Sequence, residues 1–106
     1  MAMDYEAVRE TARRYADYVR EELPVDRVIL YGSYAKGTAH KWSDIDICFF
    51  VRDYEKQRRV KTISRLLTIR RKYRYRDFFE PTVFKTSEIE NDNPFVNEIL
   101  KTGIDI

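Results

Sequence analysis

The chain has 106 residues, 43% of them hydrophobic and 36% charged, with a formal net charge of +2, the make-up of one small globular domain. No apolar run approaches the roughly 18–20 residues needed to cross a bilayer, and the first twenty residues, rich in Asp, Glu and Arg, carry no secretory pattern. The single cysteine, Cys48, excludes an intrachain disulfide and a cysteine-based zinc centre, so a reducing cytoplasm is the expected setting.

Residues 4–22 are predicted to form an amphipathic helix, because Tyr5, Val8, Ala12, Tyr15 and Val19 recur at spacings of three and four. Asp4 is expected at its N-cap or first turn, and Pro24 stops it. Residues 27–31 read as a short, nearly continuous apolar strand, as expected of a buried central position. Gly32-Ser33 then turns the chain, and a helical turn over Tyr34 to Lys36 is closed by Gly37.

A second strand is expected over residues 45–51. Alternation puts Ile45, Ile47, Phe49 and Val51 on one face and Asp44, Asp46, Cys48 and Phe50 on the other. Cys48 inside this run reads as a small core residue rather than a reactive thiol. Residues 54–72 read as a second long helix with Val60, Ile63, Leu66, Leu67 and Ile69 as its apolar stripe. A third strand follows over residues 78–84, and Pro81 within it points to a sheet edge or a bulge. Ser87 is expected to cap a short turn. Residues 94–102 form a last helix, with Phe95, Ile99 and Leu100 inward and Gly103 as its stop.

The chemistry concentrates between the first two strands. Asp44 and Asp46, two apart, project together, and two like charges so close need a cation or a proton between them. An all-oxygen pair suits Mg²⁺, which uses one or two carboxylates together with substrate phosphates. The Gly32-Ser33 turn offers backbone N–H groups and a hydroxyl as phosphate ligands, and Gly32 removes the side chain that would block close approach.

Gly32-Ser33, a gap of ten residues and then Asp44-Ile45-Asp46 resembles the signature of the DNA polymerase β-like nucleotidyltransferases. The fuller string Gly32-Ser33-Tyr34-Ala35-Lys36-Gly37, with Ser43-Asp44-Ile45-Asp46-Ile47, resembles the small stand-alone members, the minimal nucleotidyltransferases. The resemblance is close over residues 27–51 and looser to the C-terminus. It implies an α/β (α+β) core spanning residues 1–106, a small mixed sheet with helices packed on it. It also implies two Mg²⁺ ions held by Asp44, Asp46 and a third acid on a neighbouring strand, with ATP as the substrate bound at Gly32, Ser33 and Lys36.

The third acid is expected to be Glu80, with Asp77 as competitor. Alternation places the two on opposite faces, and Glu80 lies deeper in its apolar run, where a carboxylate is otherwise costly. Glu80 is therefore the third catalytic and metal-binding candidate, and it can also take the proton of the acceptor hydroxyl. Lys36 stands where relatives often carry Arg, and either reaches a phosphate or is solvated. Ser43 can cap the loop, His40 is a surface loop residue, and Trp42 packs beside the site or stacks on a base.

The charge is uneven. Residues 52–76 hold eleven Lys and Arg against two acids, Asp53 and Glu55, and the rest of the chain holds nine basic against sixteen acidic residues. This segment is a solvated helix exterior or a contact for RNA or an acidic protein face. The resemblance implies transfer of AMP from ATP to a hydroxyl. The acceptor it implies is a tyrosine of a cognate helical HEPN toxin, the chain acting as a type VII-like antitoxin in a hetero-oligomer. Two alternatives remain open: a catalytically weak module that neutralises its partner sterically, and a transferase acting on RNA or a small molecule.

Overall fold

The computed structural model describes residues 5–40, 43–52, 58–73 and 76–106. The first helix, α1 (Tyr5–Glu22), buries Val8, Ala12, Tyr15, Ala16 and Val19 along one stripe. The chain then enters β1 (Val25–Tyr31), the four-residue helix α2 (Ser33–Lys36) and β2 (Ile45–Val51). Helix α3 (Arg58–Arg70) and a 3₁₀ turn over Arg76–Phe78 lead into β3 (Phe79–Lys85). A second 3₁₀ turn, Thr86–Glu90, precedes α4 (Pro94–Thr102) and the two-residue β4 (Ile104–Asp105). The expected cap at Asp4 and the expected start of the second long helix at residues 54–57 lie outside the described residues.

The sheet order is β3-β2-β1-β4, with β1 antiparallel to both β2 and β4 and β2 parallel to β3. It is thus mixed, β1 is central, and the Pro81-bearing strand is at the edge, where a residue without an N–H costs no ladder bond. Alternation divides the apolar residues cleanly. Val28, Leu30, Ile45, Ile47, Phe49, Val51, Phe79 and Val83 pack against α1 and α3 in the main core. Ile29, Cys48 and Phe50 face the other way and meet Val96 and Ile99 of α4.

Tyr15 ties the main core together. Its ring meets the rings of Phe49 and Phe79 at 5.5 and 5.1 Å, and its hydroxyl donates to the carbonyl of Leu66 on α3 at 2.7 Å. Burial drives its phenol pKa far up, so it remains a donor. Burial likewise pushes the Cys48 thiol up to about 12, which makes it an inert core residue.

One helix is rotated from expectation, and another buries the expected stripe without its first residue. On α4, Asn93 caps the first turn through bonds from the Phe95 and Val96 amides, and the buried residues are Val96 and Ile99. Phe95, expected inward, is 50% exposed. On α3 the buried residues are Leu66 and Ile69, while Val60, expected in the stripe, is 77% exposed. No helix among the described residues is long and apolar enough to cross a membrane.

Candidate active site

The end of β1 and the start of β2 bring the turn and the aspartates together. Tyr31 pairs with Asp46 across the antiparallel ladder, so Gly32 arrives beside the Asp46 carboxylate. A Cβ on Gly32 would stand 2.2 Å from Asp46 Oδ2. Gly32 also has φ +73°, a backbone region that favours glycine. Its carbonyl accepts from the amides of Ala35 and Lys36 at 3.1 and 3.0 Å, which folds α2 back over the turn. Gly37, with φ +76°, ends α2 as expected.

Ser33 opens α2 at intermediate exposure, and Lys36 closes it with its side chain in solvent. Ser43 is buried, and its hydroxyl accepts from the His40 amide at 2.8 Å while its own amide donates to the His40 carbonyl at 2.9 Å. It therefore fastens the loop ahead of the aspartates, the capping role expected of it, and His40 stands at the surface. Trp42 lies outside the described residues.

The parallel register of β2 and β3 settles which acid stands beside the aspartates. Asp46 pairs with Glu80. Asp77 lies in the 3₁₀ turn and lines a separate cavity with Arg70, Arg71 and Arg76. Glu80 is nevertheless exposed, which corrects the expectation that it sits deep in an apolar environment. Edge position explains this: no strand covers the outer side of β3, so a carboxylate there remains hydrated.

Asp44 is exposed and Asp46 half-buried. The Asp46 carboxyl is pushed above its ordinary value, first by desolvation and then by the negative charges of Asp44 and Glu80. Asp44 and Glu80 thus both act on the Asp46 carboxyl at one end of the sheet. A residue not singled out from sequence joins them. The Tyr31 ring meets Phe95 edge-on at 6.1 Å, its hydroxyl lies 3.2 Å from Thr82 Oγ1, and its phenol is raised by burial with Asp46 and Glu80 among the contributing charges. Alternation along the first strand was the available signal, since Tyr31 sits on the face opposite Leu30.

The donors suit a hard divalent cation in kind: they are carboxylate oxygens, and Asp46 stands in the negative charge of Asp44 and Glu80. In placement they are open, for no three His, Cys, Asp or Glu side chains among the described residues are gathered around one ion-sized point. Such an open set fits Mg²⁺, which completes its shell with phosphate oxygens and water.

A mixed sheet with a Gly-Ser turn against a strand-borne aspartate defines a nucleotidyltransferase, and the chain belongs to the nucleotidyltransferase domain family, whose pattern it matches over residues 12–101. It is also similar to a protein of Methanocaldococcus jannaschii named as a candidate protein adenylyltransferase. The two are 28% identical over 105 residues, covering 95% of this chain and 96% of the relative.

Proposed function

We propose that the protein transfers AMP from ATP to a hydroxyl of a partner protein, most simply a tyrosine of a helical HEPN-type toxin, with Mg²⁺ bound at Asp44, Asp46 and Glu80. The observation that carries this reading is the fit of Gly32 against the Asp46 carboxylate, which brings the Gly-Ser turn and a strand aspartate into one site. The name of the Methanocaldococcus jannaschii relative supports AMP as the group and a protein as the acceptor.

In this mechanism the Ser33 hydroxyl and amide hold the triphosphate, and Gly32 admits it close to the backbone. Lys36 supplies a mobile positive charge at the rim. Asp44 and Asp46 would hold the metal against which the α-phosphate lies in line with the incoming hydroxyl, and Glu80, hydrated at the sheet edge, accepts that hydroxyl's proton. When bound, the metal neutralises charge on the phosphates and on the departing pyrophosphate. Ser43, bonded to His40, steadies the approach to Asp44.

The test is co-expression with the helical partner, incubation with ATP and Mg²⁺, and mass spectrometry of the complex. AMP on a partner tyrosine is expected, and it should vanish in Asp44→Asn and Asp46→Asn proteins that still fold. A complex that forms but gains no AMP would instead mark a steric inhibitor.

A further inference from the structure

Several arginines of this chain stand against an acid: Arg20, Arg27, Arg52 and Arg65 pair with Asp17, Asp105, Asp26 and Glu22. Arg70, Arg71 and Arg76 are gathered in one place instead. They line a shallow cavity of about 440 Å³ with Asp77, and none of the three makes an ion pair among the described residues, although Asp77 is beside them. Arg70 is held at the cavity wall, where its Nη1 donates to the carbonyl of Phe79 at 2.6 Å. Arg71 and Arg76 are exposed.

The cavity lies at the functional end of the sheet. Arg76 begins the turn that runs straight into β3, where Glu80 pairs with Asp46. Arg76 and Glu80 are four residues apart, at most about 13 Å along the chain, so an extended segment rounding the β3 edge from the cavity has the length to approach the acids, which face the other side of the sheet.

We propose that this cavity docks an acidic segment of the protein acceptor and thereby presents the neighbouring hydroxyl to the active site. The proposal rests on the transferase reading above and adds what selects the acceptor. Guanidinium groups match carboxylates as planar forks, and three of them around one cavity, with no ion pair among the described residues, form a field that a glutamate- or aspartate-bearing loop would fill. The sign pattern argues for a peptide over a nucleic acid. A phosphodiester chain carries charge at every unit, so it would gain at the arginines and lose at Asp77, Asp44 and Glu80. A peptide can place acids in the cavity and a neutral tyrosine at the acids.

The experiment uses a fluorescein-labelled pentapeptide with two glutamates at one end and a tyrosine at the other, its lysine counterpart, and a labelled hexauridylate, each titrated into the full chain. The glutamate peptide is expected to bind about tenfold or more tighter than the lysine peptide, and Arg71→Glu combined with Arg76→Glu should reverse that preference. Arg71→Gln alone, a milder change, should reduce it. Equal binding of the two peptides, a preference untouched by charge reversal, or tighter binding of hexauridylate would overturn the proposal. AMP transfer to the same peptide is measured in parallel. Charge-selective binding without transfer supports the cavity and leaves the transferase reading to the test on the partner complex, whereas transfer without charge preference sinks the cavity alone.

Discussion

At the scale of single residues, the proposed chemistry centres on Gly32 and Asp46, and the cost of bringing them together can be measured. Gly32 and Gly37 share nearly the same positive φ, yet a Cβ at Gly37 would meet nothing within 4 Å while one at Gly32 would strike Asp46. Alanine at either position should therefore cost about 1 kcal/mol or somewhat more in backbone strain. Only Gly32→Ala should also displace the carboxylate and abolish AMP transfer, so thermal melts and activity should separate the two variants. Asp46 has the opposite profile. Its carboxyl titrates above the ordinary value of 3.8 in the folded protein, so folding favours its protonated form. The destabilisation is absent below the ordinary value, grows as pH rises through the window up to the raised one, and is complete above it. Asp46→Asn should accordingly raise the melting temperature at neutral pH, leave it nearly unchanged in acid, and eliminate transfer. The spacing of Asp44 and Asp46 made this pair legible in sequence. Glu80 was legible as well, but for a reason the fold does not share: it stands beside Asp46 through strand register while remaining in solvent.

At the scale of elements, α1 and β1 followed from periodicity and breakers, because long stripes and a Pro stop are local signals. What periodicity left ambiguous was phase. Phe95 and Ile99 are as helically spaced as Val96 and Ile99, and only the Asn93 cap with Pro94 at the first turn sets which pair faces the sheet. The stripe of α3 likewise starts later than its first apolar residue, leaving Val60 in water. β4 has no local signature at all: two residues are a strand only because Ile104 and Asp105 pair with Leu30 and Ile29. The docking of α3 on α1 has a specific polar tie in the Tyr15 hydroxyl. Tyr15→Phe keeps the ring contacts with Phe49 and Phe79 and removes the bond to the Leu66 carbonyl. It should cost about 0.5–1.5 kcal/mol by denaturant melts, with no change in AMP transfer.

At the scale of the whole molecule, the sheet is unevenly covered, and that asymmetry decides where stability and function reside. Two long helices close one face over the main core, while among the described residues the opposite face carries α4 and the Thr86–Glu90 turn and leaves the end with Tyr31, Asp46 and Glu80 less covered. Burying large apolar side chains stabilises; a catalytic face must remain accessible to substrate. Stability should therefore depend strongly on the covered face and weakly on the open one. Leu66→Ala, at a fully buried α3 position, should lose about 2–5 kcal/mol. Phe95 touches Tyr31 at 6.1 Å and Phe84 at 5.8 Å but is half in solvent. Phe95→Ala should lose no more than about 1.5 kcal/mol from those ring contacts, yet by freeing the Tyr31 ring beside Asp46 it should lower AMP transfer more than its small stability loss explains. Chemical denaturation of the two variants, with transfer rates measured at a temperature where both are folded, checks the division. If Phe95→Ala destabilised as much as Leu66→Ala, or left transfer unaltered, α4 would be a structural cover rather than the wall of the active site.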